Sequence, residues 1–211
     1  MATLLTRVEY RLVLDCSDRE KVFSLRYHAY LREGAITYNR SGRIHDAFDD
    51  VANARIVGVY VDGELAASIR IHVIDKTADR PTSPALDTFG DLIDPHIKQD
   101  KIVIDPNRFV SDHTLARQSP DLPYATLRVP FMAAQYFNAD IATATVRKEH
   151  QAFYKRILRY DVVSEPREYP SLVKPLSLMM VDFKSEEAKV LGRYPFFSQR
   201  HENEARDLFA L

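Results

Sequence analysis

No tryptophan occurs in the 211 residues, and there is a single cysteine, Cys16. One cysteine excludes an intrachain disulfide framework and a multi-cysteine zinc site. Its neighbours Asp15 and Asp18 argue against an activated thiol, so Cys16 is expected to be a packing residue. Glycine is scarce, at 6 residues. No P-loop, dinucleotide-binding glycine fingerprint or HExxH pair is present. No apolar run reaches membrane-spanning length, and residues 1–7 lack the apolar stretch of a signal peptide. An excess of one charge is missing too: 29 Lys plus Arg balance 30 Asp plus Glu. That balance gives no reason to expect nucleic acid or an anionic membrane as the main partner. The expectation is a cytoplasmic protein of one ample domain with no metal centre.

What is present is a folded-protein composition, 45% apolar and 10% aromatic. Tyr10–Leu14 reads as a first strand. Ser17 then reads as the N-cap of a helix, with Glu20 completing a capping box and Gly34 ending it. Residues 35–54 read as a long loop or short helix. Ala54–Tyr60 and Glu64–Ile74 are strands joined by an Asp62-Gly63 hairpin turn. In the second of them Ala66, Ser68, Arg70 and His72 share one face. Residues 75–100 read as loop-rich. Ile102–Val110 is a strand whose Asp105-Pro106 step suggests a bulge or an edge. A helix over Thr126–Phe137, a strand over Ile141–Val146 and a helix over Lys148–Tyr160 follow. Strands at Asp161–Ser164 and Leu176–Phe183 precede a helical tail over 185–211. The fold class is α/β (α+β).

Several charged residues stand inside these apolar segments, where an unpaired charge costs several kcal/mol. Asp46 and Asp49 lie three apart, with Asp50 beside them. They are either an ordinary acidic loop or a cluster for a cation, a substrate ammonium or general-base work. Arg26 and Arg70 call for carboxylate partners, with Asp46, Asp49 and Asp105 the natural ones. That arrangement is either a structural ion-pair network or part of a site. Asp105-Pro-Asn-Arg108 is either a local Asp–Arg turn or a bulge whose N–H would hold a substrate carbonyl. Tyr154, four residues after His150, is a core tyrosine or a general acid. Arg147, Lys148, Lys155, Arg156 and Arg159 form a solvated basic face or meet an acidic partner.

The order of these residues carries a resemblance. Arg26, Asp46, Asp49, Arg70, then Asp105-x-x-Arg108-Phe109, is similar to the pattern of autoinducer (acyl-homoserine-lactone) synthases. There an arginine, an Asp-x-x-Asp pair, a second arginine and Glu-x-x-Arg-Phe follow one another. The helix and strand around Tyr154–Asp161 resemble the end of an N-acetyltransferase-type (GNAT) domain. The chain over roughly 8–183, including Leu176-Ser-Leu-Met-Met-Val-Asp, most resembles the related long-chain N-acyl amino acid synthases. It departs in lacking the tryptophan near the first helix and in having Asp105 for Glu. It also has Arg117-Gln-Ser-Pro-Asp-Leu-Pro123 where coenzyme A-binding relatives have a Gln/Arg-x-x-Gly-x-Gly/Ala loop.

The resemblance implies a GNAT-like fold over 1–184, a mixed central sheet flanked by helices, with 185–211 as a tail of the same unit. It implies acyl transfer from an acyl-carrier-protein thioester to the α-amine of an amino acid, with acyl-phosphopantetheine as co-substrate and no other cofactor. Asp105 would be the base, with Asp46 and Asp49 next. A bulge N–H near Arg108 would form the oxyanion hole, and Tyr154 would be the acid. Arg26, Asp46, Asp49, Arg70 and Phe109 would line the substrate site, with Phe131 and Phe137 along the acyl chain. Arg147, Lys148, Lys155 and Arg156, with Arg117 and Arg128, would dock the carrier protein. Peripheral membrane contact would come through the lipid product. The alternatives are an autoinducer synthase using S-adenosylmethionine and a non-catalytic acyl-ligand binder.

Overall fold

Asp62 and Gly63 both take positive φ, 51° and 86°, the geometry that a two-residue hairpin turn demands. The hairpin they close lies inside a seven-stranded sheet. The computed structural model describes residues 1–76 and 81–210. Along the chain these form α1 (Ala2–Leu5), β1 (Val8–Leu12), α2 (Cys16–Arg32), β2 (Ala54–Val61) and β3 (Glu64–Ile74). There follow α3 (Pro84–Ile97), β4 (Val103–Ser111), α4 (His113–Gln118), α5 (Leu122–Tyr136), β5 (Ile141–Val146) and α6 (Lys148–Leu158). β6 (Asp161–Val162), β7 (Ser177–Asp182), α7 (Phe183–Arg193) and α8 (Glu204–Phe209) complete the order. The mixed sheet runs β1-β2-β3-β4-β5-β7-β6, and only β4 and β5 are parallel. The α/β architecture with helices on both faces is the one expected.

Several local expectations shift. Asp15, not Ser17, caps α2, accepting the Asp18 N–H at 2.9 Å, which starts the helix two residues earlier and leaves Cys16 exposed rather than packed. The segment read as loop-rich contains α3, capped by Ser83, whose hydroxyl accepts the Leu86 N–H at 3.0 Å. Its prolines begin the helix and punctuate its end rather than forbid it. The part of that loop at 77–80 lies outside the described residues, as does Leu211 of the tail.

The two faces of the sheet carry different cores. On one, Ile69, Ile71, Ile104, Ala142 and Ala144 pack with α5, α6 and α7. On the other, Ile74, Val103, Ile141 and Leu178 pack with Phe89 and Ile93 of α3, and α2 adds Val22 and Phe23.

Arg128, expected at a docking surface, is fully buried on α5. Its guanidinium binds Glu204 twice, at 3.1 and 2.9 Å, and donates to the carbonyls of Phe196 and Ser198 and the Tyr10 hydroxyl. Arg200 closes on the same Glu204 and on the carbonyls of Leu5 and Val8. Burial would raise the Glu204 carboxyl, but the hydrogen bonds from Arg128 and Arg200 and the charge of Arg128 together outweigh it and hold it below its ordinary value. The tail is thereby clasped to β1 and α5. Phe137, expected along the acyl chain, packs in this region on Tyr136 and Phe209. Arg128→Ala leaves Glu204 buried with Arg200 as its remaining partner. It should lower the unfolding free energy by about 3–5 kcal/mol in a urea titration; a loss under about 1 kcal/mol would show that the clasp is incidental.

Candidate active site

β4 and β5 pair only at Val103↔Ile141 and Ile104↔Ala142 and then part. The sequence of β4 explains why. The carbonyls of Ile102 and Ile104 face β5, where they accept from Asp140 and Ile141 N–H and from the Thr143 hydroxyl. By the two-residue alternation Pro106 faces β5 as well, and it has no N–H to give. Two residues later the strand bulges. Ser68 pairs with Val110 and Arg70 with Asn107, so Arg108 and Phe109 oppose the single residue Ile69. Arg108 takes φ 53°, a left-handed conformation that an arginine holds only when its surroundings fix it. The expected bulge is therefore present, displaced from Asp105-Pro106 to Arg108-Phe109. β4 lies inside the sheet rather than at an edge.

The opening between the strands is a cleft of about 580 Å³ that passes through the sheet. On the α5–α6 side Ile69, Phe109, Leu127, Pro130, Ala144, Phe153 and Leu158 line it, an apolar chamber. On the α2 side Tyr30, Asn107, Thr143, Thr145 and Tyr169 line it, a chamber rich in neutral polar groups. Arg32, His113, Arg147, His150 and Lys174 also border the cleft, with Glu33 the one acidic group among them.

Behind the polar wall the predicted charges meet. Arg26 bonds Asp49 at 2.7 Å, and Arg70 reaches Asp49 at 2.7 Å and Asp46 at 2.6 Å. Arg108 takes Asp46 through its Nε at 3.2 Å and through Nη2. Asp46 and Asp49 are presented by a 3-10 turn, Ala47–Asp49, that they cap reciprocally. Asp46 accepts from the Phe48 N–H, and Asp49 from the Asp46 N–H, each at 3.0 Å. Burial would raise the Asp46 carboxyl, but the hydrogen bond from Arg70 and the charges of Arg108 and Arg70 hold it well below the carboxylate range. Asp49 is lowered too, its burial outweighed by Arg26 and Arg70. Such carboxylates are poor proton acceptors. Three guanidiniums share two carboxylates, and Arg26 Nε and Nη2 and Arg108 Nη1 are buried without a hydrogen-bond partner among the described residues. Arg26, Asp46, Asp49 and Arg70 do not border the cleft; Arg108 and Phe109 do.

A second hydrogen-bonded run leads from this network to Asp105. Arg70 Nε donates to Asn107 Oδ1 at 2.7 Å. Asn107 Nδ2 lies 3.0 Å from His72 Nδ1 and 3.2 Å from Asp105 Oδ2. Burial, with the charge of Arg70, drops His72 to about 3. The neutral ring accepts from Asn107 at Nδ1, and its Nε2–H donates to the Phe48 carbonyl at 3.0 Å. Asp105 is fully enclosed, and burial pushes its carboxyl up against the hydrogen bonds from Ser83, Thr143 and the Ala85 N–H. The Thr143 hydroxyl, 3.1 Å from Asp105 Oδ1, stands between that carboxyl and the cleft. Tyr154 lines the apolar side; burial, then Tyr30, raises its hydroxyl so that it stays protonated. Of the basic helix, Arg147 borders the cleft and bonds Glu33 at 2.7 Å. Lys148 and Arg156 are exposed, while Lys155 lines a separate groove with His96, Lys101 and Asp161. Among the described residues no cluster of metal-binding side chains and no helix long and apolar enough to cross a membrane is found.

The family model of N-acyl amino acid synthase FeeM matches residues 21–182. The chain belongs to that family, and it is an acyltransferase. The FeeM N-acyl amino acid synthase from uncultured soil microbes superposes with a TM-score of 0.72 at 16% identity, over 88% of this chain and 96% of that one. MesI, a CoA-dependent acyl-homoserine lactone synthase, gives 0.62 at 17% identity, over 90% and 97%. An acyl-CoA N-acyltransferase from Pseudomonas aeruginosa gives 0.55 at 18%, over 82% and 98%. These likenesses establish the GNAT-like fold. No curated protein matches the chain.

Tyr30, His72, Asn107, Thr143, Thr145 and Tyr169 escaped the sequence reading. A signal existed for several. Thr143 and Thr145 alternate with apolar residues in β5, His72 shares the Arg70 face, and Tyr30 lies one helical turn past Arg26. Tyr169 lies outside the named helices and strands and offers no such periodicity.

His72 and Asp105 give opposite pH signatures. His72 binds a proton more readily unfolded, so its share of stability is lost as pH falls from about 6.5 toward 3. Asp105, raised in the fold, contributes stability that declines as pH rises through its folded value. His72→Asn should therefore flatten the loss of stability between pH 6.5 and 4.5 measured by chemical denaturation. An unchanged pH slope would mean that His72 is not held neutral.

Proposed function

We propose that the protein moves a long-chain acyl group from an acyl-carrier-protein thioester to the α-amine of an amino acid. The observation that carries this reading is the cleft at the β4–β5 split, apolar on one face of the sheet and polar on the other. The acyl chain would lie among Leu127, Ala144, Phe153 and Leu158, and the acceptor among Tyr30, Asn107, Thr143, Thr145 and Tyr169. The thioester carbonyl would sit in the gap between them.

In the step itself a C–N bond forms, the C–S bond breaks, the ammonium loses two of its three protons and keeps one as the amide N–H, and the thiolate gains one. Asp105, whose carboxyl burial raises, would act as base through the Thr143 hydroxyl, which passes a proton on to Asp105 Oδ1. The backbone of the Arg108-Phe109 bulge would supply the oxyanion donor. The protonated Tyr154 hydroxyl would serve the leaving thiolate. Arg26, Asp49, Arg70 and Asp46 would hold Arg108 and the bulge in place rather than touch the substrate.

The carrier-protein donor is favoured by what fills the helix starts after β4. A helix N-terminus binds a pyrophosphate only through free amides. Here Leu122 N–H is bonded to Ser119 O at 2.9 Å, Tyr124 and Ala125 N–H to Asp121 O at 3.1 Å, and Pro123 has none. At α4 the Asp112 carboxylate takes both the Thr114 and Leu115 amides at 2.9 Å. A nucleotide-borne donor finds no such cradle there. The basic groups at the cleft, Arg32, Arg147 and Lys174 with neighbouring Lys148, suit an acidic carrier.

Purified protein incubated with long-chain acyl carrier protein and a panel of amino acids should release free carrier thiol and an N-acyl amino acid, seen by mass spectrometry. Methylthioadenosine formed from S-adenosylmethionine would instead identify an autoinducer synthase, and tight acyl binding without turnover a binder. Arg147→Glu should raise KM for the carrier about tenfold and weaken its salt dependence, with KM for the amino acid unmoved. An unaltered carrier KM would remove Arg147 from the docking surface.

A further inference from the structure

The apolar chamber has a built end wall. Pro130 of α5, Leu158 at the end of α6 and Tyr160 just beyond border the main cleft on one side. The same three residues border a second, much smaller cavity of about 20 Å³ on the other. Phe131, Ala134, Ala142, Val181, Phe183 and Val190 line that cavity, with Glu186 and Glu187 also bordering it. Phe131, expected along the acyl chain, thus lies behind the wall, its ring 5.1 Å from Phe183 and 5.0 Å from Phe197. The apolar side chains that line the smaller cavity lack packing partners across that gap, which costs dispersion contacts.

The wall is fixed in place. Arg159 ends α6 in the left-handed region at φ 62°, which turns the chain so that Leu158 and Tyr160 both point inward and are buried. The Tyr160 ring meets that of Tyr154 at 6.0 Å. Pro130 is locked into the helix by its ring. Leu158 is the flexible aliphatic member of the three, and its truncation would join the two cavities without disturbing the polar chamber.

We infer that Leu158 is a specificity-determining residue that sets the longest acyl chain the cleft accepts. The inference rests on the reading of the cleft's apolar side as the acyl chamber. A chain long enough to reach the wall must stop at Leu158 or displace it. With the wall in place, each further methylene is either folded back or left in water, losing about fourfold in affinity. With the wall open, two further methylenes would be buried among Ala134, Ala142 and Val181.

The test measures saturated acyl-pantetheines of graded length displacing a fluorescent fatty-acid analogue from the full chain, with turnover followed on the matching acyl carrier proteins. Leu158→Ala should move the optimum up by about two to four carbons and improve the ratio for a chain two carbons past the wild-type optimum by about tenfold. Filling the rear cavity in that background, with Leu158→Ala plus Ala134→Leu, should restore the wild-type optimum. Leu158→Val, a milder truncation, should shift the profile in the same direction and covers the case in which the alanine variant does not fold. A folded variant that keeps the wild-type length profile would overturn the role of Leu158 while leaving the acyl chamber intact. Wild-type protein that binds no chain of any length would overturn both.

Discussion

The alternating chain Arg26–Asp49–Arg70–Asp46–Arg108 is the constraint on which the rest of the structure depends. It ties α2, the 3-10 turn, β3 and β4 together through contacts that are almost wholly buried. Such pairs are not retained for stability, since apolar residues of like volume often serve as well. Their consequence is geometric. Each carboxylate is shared between two guanidiniums, so a shift of Asp49 strands Arg26 and a shift of Asp46 strands Arg108, each a buried charge left without its carboxylate. The cluster also carries one more cation than anion, and burial, with the charges of Arg70 and Arg108, pulls the Arg26 guanidinium below its ordinary value despite Asp49. An arrangement that costly is a means of fixing Arg108 in its left-handed bulge.

From that bulge the cleft follows. Pro106 denies β5 a partner, the bulge turns β4 away, and the sheet opens between its only parallel strands. The alternation of β5 then gives the opening two chemistries. Ala144 and Val146 face the apolar side; Thr143 and Thr145 face Asp105 and Tyr169. One strand of six residues thereby separates an apolar chamber from a polar one. Asp105, the carboxyl that burial raises, is paired with no guanidinium among the described residues.

Much of the architecture was legible because it is written locally. The Asp62-Gly63 turn, the Arg70 face of β3 and the apolar run of β5 are period-two or two-residue signals, and they hold. The order of the charged residues, more than any one of them, pointed to the fold and the family. What was not legible depends on distant partners. Arg128 reads as a surface cation until Glu204, far along the chain, encloses it. Phe131 and Phe137 read as acyl contacts, but Phe183 at the start of α7 and Phe197 and Phe209 of the tail claim them. The helix α3 was hidden by its prolines, and Asp105 could not be separated from Asp46 and Asp49 until their neighbours were known: arginines for two of them, hydroxyls for the third.

Arg26 borders no part of the cleft, yet the network joins it to Arg108, which does. It sits at the far end of the network from the cleft and should act only by holding Asp49, Arg70 and Asp46 in register behind Arg108. The most direct measurement is the steady-state acyl transfer rate of Arg26→Met, with folding verified by circular dichroism. The account predicts a kcat reduced by about tenfold or more, with KM for donor and acceptor held within about threefold. A folded variant with wild-type kcat would contradict it.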